Sequence, residues 1–179
     1  MADLTGKRIA FAVAGEGIEQ VELTDPWQAV EKAGGQPVLV SVEQGKVQAF
    51  HHLDRGDTFP VDTTFAEAAV EDYAGLVLPG GVANPDALRL DSAAIAFIKG
   101  FFEQEKPVAA ICHAPWTLVE ADVVRGRRVT SWPSLQTDLR NAGAQWEDNE
   151  VVVDGNLITS RKPDDLPAFN EAAISAFVG

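Results

Sequence analysis

Three short and almost unbroken apolar runs, Ile9–Ala14 (IAFAVA), Gly75–Pro79 (GLVLP) and Pro107–Ile111 (PVAAI), limit what this chain can fold into. Apolar runs of this length without polar alternation suit strands buried on both faces, and strands of that kind belong to parallel sheets covered by helices. The segments between them carry the helical period. From Ile18 to Ala33, apolar residues at Val21, Leu23, Trp27, Val30 and Ala33 are spaced for one helical face, and Gly34-Gly35 supplies a stop. Ile95–Glu105, Trp116–Ala121 and a final stretch from Asp164 to Phe177 read as further helices. Pro37–Val42 is a second strand, Val47–Phe50 a short one, and His51–Asp62, polar and holding Gly56 and Pro60, a surface excursion. Glu150–Val153 and Leu157–Ser160 flank Asp154-Gly155-Asn156, a hairpin signal. Alternating strands and helices of this kind predict an α/β fold with a mainly parallel sheet and helices on both faces.

At 179 residues, with no linker, repeat or low-complexity segment, the chain is expected to form one domain over residues 1–179. Apolar residues at 46% and charged residues at 23% match an ordinary globular protein that folds unaided. Lys plus Arg total 14 against 27 Asp plus Glu, a net charge of -13 that repels phosphate backbones and anionic lipid surfaces, so neither nucleic acid nor membrane is an expected partner. No run approaches the roughly 18 apolar residues of a membrane helix. The polar start, Met1-Ala-Asp-Leu-Thr-Gly-Lys-Arg, lacks a secretory pattern, which points to the cytoplasm. The single cysteine, Cys112, has no disulfide partner in the chain and no Cys-x-x-Cys zinc motif around it.

Sites in open α/β sheets form at the carboxyl ends of the strands, where this sequence offers Glu19, Gly80-Gly81 and Cys112-His113. Ala110-Ile111-Cys112-His113-Ala114 joins a buried strand to a helix and has small residues two positions either side of the cysteine, the pattern of a nucleophile elbow. An elbow projects its central side chain beside a helix start, which predicts a thiol more acidic than free cysteine. The histidines are His51, His52 and His113, so a triad with its histidine far downstream of the nucleophile is unavailable. His51-His52 reads as a solvated loop pair without metal-ligand spacing, and neither metal nor cofactor is called for.

These residues carry a resemblance that spans nearly the whole chain. Gly17-Ile18-Glu19-Gln20-Val21-Glu22-Leu23, Leu76-Val77-Leu78-Pro79-Gly80-Gly81, Lys106–Pro115 around Cys112-His113, and Val151–Asn156 followed by Thr159-Ser160-Arg161 together resemble the DJ-1/PfpI superfamily, in particular its PfpI-like intracellular proteases and general stress proteins. The resemblance implies a flavodoxin-like three-layer sandwich with the cysteine at the elbow, and homodimers or higher oligomers with interfaces beside the site. Carried over residue by residue, it implies Cys112 as nucleophile, His113 as its neighbouring histidine, and Glu19 as a protonated carboxyl beside the sulfur. The amides of Gly81 and His113 would form the oxyanion pocket, with Gly80 in the same turn. Asp86 matches the acid that a neighbouring subunit supplies to the histidine if one residue is inserted, although Asp is shorter than the Glu of the PfpI pattern. Ala114 stands where many members carry Gly.

The function implied is a cysteine-dependent hydrolase of the stress response, in which Cys112 adds to an electrophilic carbonyl of a peptide or of a dicarbonyl or glycation adduct. The alternative is a redox-responsive stress protein or chaperone whose Cys112 is oxidised to the sulfinate.

Overall fold

The computed structural model describes residues 2–179. Among them, seven strands form the central sheet, in the spatial order β11 (Val152–Asp154), β12 (Leu157–Ser160), β8 (Val108–Ile111), β7 (Gly75–Leu78), β1 (Arg8–Ala12), β3 (Gln36–Ser41) and β6 (Thr63–Thr64). All neighbours run parallel except β11, which pairs antiparallel with β12 through the predicted Asp154-Gly155-Asn156 turn. The three apolar runs become β1, β7 and β8, adjacent at the middle of the sheet, and the α/β prediction holds.

Residues alternate across the sheet and so build two cores. Ile9 and Phe11 of β1, Val77 of β7 and Ala109 and Ile111 of β8 face helices α1 (Gln20–Lys32) and α6 (Leu166–Val178), where Leu23, Val30, Phe169 and Phe177 meet them. Ala10, Ala12, Leu76, Leu78, Val108 and Ala110 face the opposite way, toward Leu88 of α2 (Ala83–Leu88), Phe97 and Phe101 of α3 (Ser92–Glu103), Leu118 of α4 (Pro115–Glu120) and Leu139 of α5 (Gln136–Asn141). Two covered faces make a three-layer α/β sandwich of the flavodoxin-like kind. A parallel pair, β9 (Arg128–Val129) with β10 (Gln145–Trp146), adds a small extension.

The segment His51–Asp62 differs from its sequence reading as a surface excursion. Most of it is strand β5 (Asp54–Pro60), antiparallel to β4 (Lys46–His51), and β4 in turn runs parallel to β2 (Glu16–Glu19). Its side chains are largely exposed, so it carries no apolar run, and the ladder it forms with β4 satisfies its backbone instead. The helix expected from Ile18 starts two residues later, because Ile18 and Glu19 close β2.

Candidate active site

Three carboxyl-terminal strand ends converge on Cys112. After β8 the chain turns at once toward α4, and Cys112 takes φ 64°, a left-handed conformation that a non-glycine residue adopts at a cost of about 1–2 kcal/mol. Three backbone hydrogen bonds hold it there: Cys112 N–H donates to Ser160 O at 3.1 Å, Trp132 N–H donates to Cys112 O at 2.8 Å, and Ala114 N–H donates to Ile111 O at 3.1 Å. The elbow read from the sequence is present, and it aims the side chain into a nearly closed niche where Cys112 is 6% exposed.

His113 lies next to the sulfur, with Nδ1 3.1 Å from Sγ. Its ring stacks on Trp132 with centroids 5.6 Å apart and planes 21° apart, and meets Trp116 edge-on at 5.3 Å. The indole of Trp116 is fixed in turn, since Nε1 donates to Asp138 Oδ2 at 2.9 Å. Burial among these rings pushes the imidazole down to about 4, which keeps it neutral at physiological pH. Among the described residues the sulfur is its one side-chain hydrogen-bond partner, leaving Nε2 for a group from outside the chain.

The carboxyl beside the sulfur belongs to Glu22, correcting the assignment of that place to Glu19. Glu22 lies in the first turn of α1 on the stripe that also buries Leu23, Pro26 and Val30, and it is fully buried. Burial first, and the charge of Glu19 second, push its pKa up to about 8, opposed by the Cys112 thiol and the amides of Gly80 and Gly81. Neither carboxyl oxygen has a well-aligned hydrogen-bond partner. A buried carboxyl so placed is protonated at neutral pH and holds a proton to donate toward sulfur. Glu19 is the last residue of β2, and its two oxygens accept from the His52 amide at 3.3 and 3.1 Å. Burial and the Glu22 carboxylate also push the Cys112 thiol above its usual value, against the amides of Gly81 and His113. The acidic thiol expected from the elbow is therefore not supplied by the elbow alone, because burial and a charged Glu22 outweigh the two amides.

Gly80-Gly81, directly after β7, forms the floor. A Cβ on Gly80 would lie 2.5 Å from Glu22 Oε1 and 2.7 Å from Cys112 Cβ, and Gly81 has φ +84°. No larger residue fits the first position, and the second takes a conformation natural to glycine. Asn84, fully buried, stitches the strand ends together: its Oδ1 accepts from Ala14 N–H at 2.7 Å, and its Nδ2 donates to Pro79 O at 3.0 Å and Gly80 O at 3.1 Å. Asp86 sits two residues further along α2, exposed, and away from its own chain's histidine contacts. His51 and His52 lie at the exposed β4–β5 tip.

Sequence reasoning missed Glu22, Asn84 and the two tryptophans. For Glu22 the signal was available, since it stands four residues before Pro26 and eight before Val30 on one helical stripe. Among the described residues no three His, Cys, Asp or Glu side chains gather as a metal group, and no helix is long and apolar enough to cross a membrane.

Fold and site together define a flavodoxin-like α/β protein with a strained cysteine elbow, an adjacent histidine and a buried acid. The signature of the DJ-1/PfpI family matches residues 7–176, and the chain belongs to that family. It is 40% identical over 169 residues to the putative cysteine protease YraA of Bacillus subtilis, covering 94% of this chain and 97% of that one. It is also 40% identical over 169 residues to protein/nucleic acid deglycase 2 of Escherichia coli, covering 94% and 96%. Among solved structures, Drosophila melanogaster DJ-1beta superposes with a TM-score of 0.85 at 28% identity, covering 97% of this chain and 91% of that one.

Proposed function

We propose that this protein is a cysteine-dependent hydrolase acting on electrophilic carbonyls, of peptides or of dicarbonyl and glycation adducts, with Cys112 as nucleophile. The observation that carries the reading is the 3.1 Å contact between Cys112 Sγ and His113 Nδ1 at an elbow strained to φ 64°. A neutral imidazole that accepts the thiol proton at Nδ1 carries its own proton on Nε2. The thiolate then adds to the carbonyl carbon, and the carbonyl oxygen becomes an oxyanion beside the Gly81 and His113 amides, the same donors that favour the charged form of the sulfur. His113 returns the proton to the leaving group, and water releases the acyl or adduct fragment from sulfur. The relatives named as a putative cysteine protease and as deglycases support both substrate classes.

The free Nε2 of His113 and the outward position of Asp86 support a site completed in a homodimer or higher oligomer, with Asp86 of a second copy accepting from Nε2. An acid there would fix the tautomer that Nδ1 needs.

The test is turnover of methylglyoxal, a glycated amine and a fluorogenic peptide by the wild type and Cys112→Ser. Activity on at least one substrate, lost in the variant, is the expected result. No turnover on any, together with ready sulfinate formation under peroxide, would replace this reading with the redox one.

A further inference from the structure

We infer that Glu19 is a positioning residue of the site, whose negative charge, held at the end of β2, drives the shared charge of the Glu22–Cys112 pair onto the sulfur. Cys112 is the cysteine of the proposed function, and the inference rests on that reading only for its catalytic consequence.

Glu19 is the extended N-cap of α1 and Glu22 its third residue, a spacing at which the cap and third-residue side chains come together across the first turn. They differ in environment. Glu22 is fully buried, whereas Glu19 is only partly buried and grips the tip of the β4–β5 hairpin through both oxygens at the His52 amide. Next to it, Gln20 Oε1 accepts from Asp57 N–H at 2.8 Å and Gln20 Nε2 donates to Asp57 Oδ2 at 2.8 Å, so the hairpin is latched twice to the helix start. The Glu19 amide also donates to Gly80 O at 3.4 Å, which ties it to the site floor. The Glu19 carboxylate is thus fixed at the hairpin tip, while Glu22 Oε1 and Cys112 Cβ both lie against Gly80.

The charged or titratable groups that act on Glu22 are Glu19 from β2 and Cys112 from the elbow. The turn after β7 contributes only the amides of Gly80 and Gly81, and His113 engages the sulfur. Glu22 and Cys112 together carry one negative charge when a single proton is lost: either the carboxylate faces a thiol, or the neutral acid donates to a thiolate. Glu19 repels the first arrangement more than the second, because it shares the first turn of α1 with Glu22, whose pKa its charge raises, whereas Cys112 belongs to the elbow on the far side of the Gly80 turn. No covalent step is involved. The pair's remaining proton sits on Glu22 Oε, and the proton given up to water is the thiol's.

Two unit charges about 6 Å apart at an effective dielectric near 20 shift a titration by roughly one to two pH units. Glu19→Gln keeps an oxygen for the His52 amide and removes the charge. The measurement is the rate of iodoacetamide alkylation of Cys112 across pH, which needs no substrate. Glu19→Gln and Glu19→Ala are both expected to lower the rate at pH 7 by about two- to tenfold. In a Glu22→Gln background there is no carboxylate to receive the charge, so adding Glu19→Gln is expected to leave the rate unchanged or raise it slightly. An undiminished rate in Glu19→Gln, a loss confined to Glu19→Ala, or an equal loss in the Glu22→Gln background would overturn the inference. None of these results bears on whether Cys112→Ser abolishes turnover, so the two readings fail separately.

Discussion

A carboxyl that is neutral when folded and charged when unfolded makes stability fall as pH rises, and Glu22 is such a group. Its ordinary value is 4.5 and its folded value about 8, so between those limits the native state binds one proton more than the unfolded state. The unfolding free energy then decreases by about 1.4 kcal/mol per pH unit. The stabilisation is fully present below 4.5, has lost roughly 3 kcal/mol by pH 7, and is lost altogether as pH passes through 8. His113 acts in the opposite sense, because burial lowers it from 6.5 to about 4 and the unfolded state binds the extra proton in that interval. The two slopes offset each other below pH 6.5, and above it Glu22 acts alone. Glu22→Gln keeps the side-chain size and removes the titration. Urea unfolding of both proteins at pH 6.5 and 7.5 and at equal protein concentration is therefore expected to show wild type losing roughly 1 kcal/mol more than the variant across that unit. Parallel curves would mean that the folded Glu22–Cys112 pair has already given up a proton by pH 6.5, as carboxylate or as thiolate, and would refute the linkage argued from the raised value.

Gly80→Ala should damage both folding and chemistry, since its methyl would lie 2.5 Å from Glu22 Oε1, 2.7 Å from Cys112 Cβ and 2.8 Å from Ile111 O. Thermal unfolding should report a loss of about 1–3 kcal/mol with alkylation of Cys112 slowed, and a wild-type melting temperature would show that the floor yields freely. For the shared triad, mixing inactive Cys112→Ser with inactive Asp86→Ala subunits should restore part of the activity. Failure to do so after subunit exchange has been verified by mass spectrometry, or a strictly monomeric protein by light scattering, would exclude it.

How far the residues announce the structure depends on how local the determining physics is. β1, β7 and β8 are legible because strands covered on both faces need uninterrupted apolar residues, and the elbow is legible because a sharp strand-to-helix turn needs small flanking residues. Strand β5 is not legible: Asp54–Pro60 is mostly exposed and has no apolar run, and only its hairpin partner β4 gives it a ladder. The choice between Glu19 and Glu22 fails for a subtler reason. The chain changes from a two-residue to a 3.6-residue period at Glu19–Gln20, so the inward face rotates there, and placing the change two residues early leaves Val21 on the buried stripe when it is in fact 39% exposed.

The same boundary explains why the site can exist at all. A left-handed cysteine costs about 1–2 kcal/mol, and a buried acid kept neutral at pH 7 costs roughly 3 kcal/mol more, together a large share of the 5–15 kcal/mol that holds a typical domain folded. Such costs persist only where the surroundings leave no alternative. Here Ser160, Trp132 and Ile111 fix the backbone around Cys112, Asn84 joins β1 to the turn after β7, and the latches of Glu19 and Gln20 onto the hairpin hold the first turn of α1. Packing alone would be served as well by an alanine at position 112 in relaxed geometry and a leucine at position 22. That both positions carry reactive groups under strain, each braced by contacts from other strands, marks this corner of the sheet as built around the thiol and its proton.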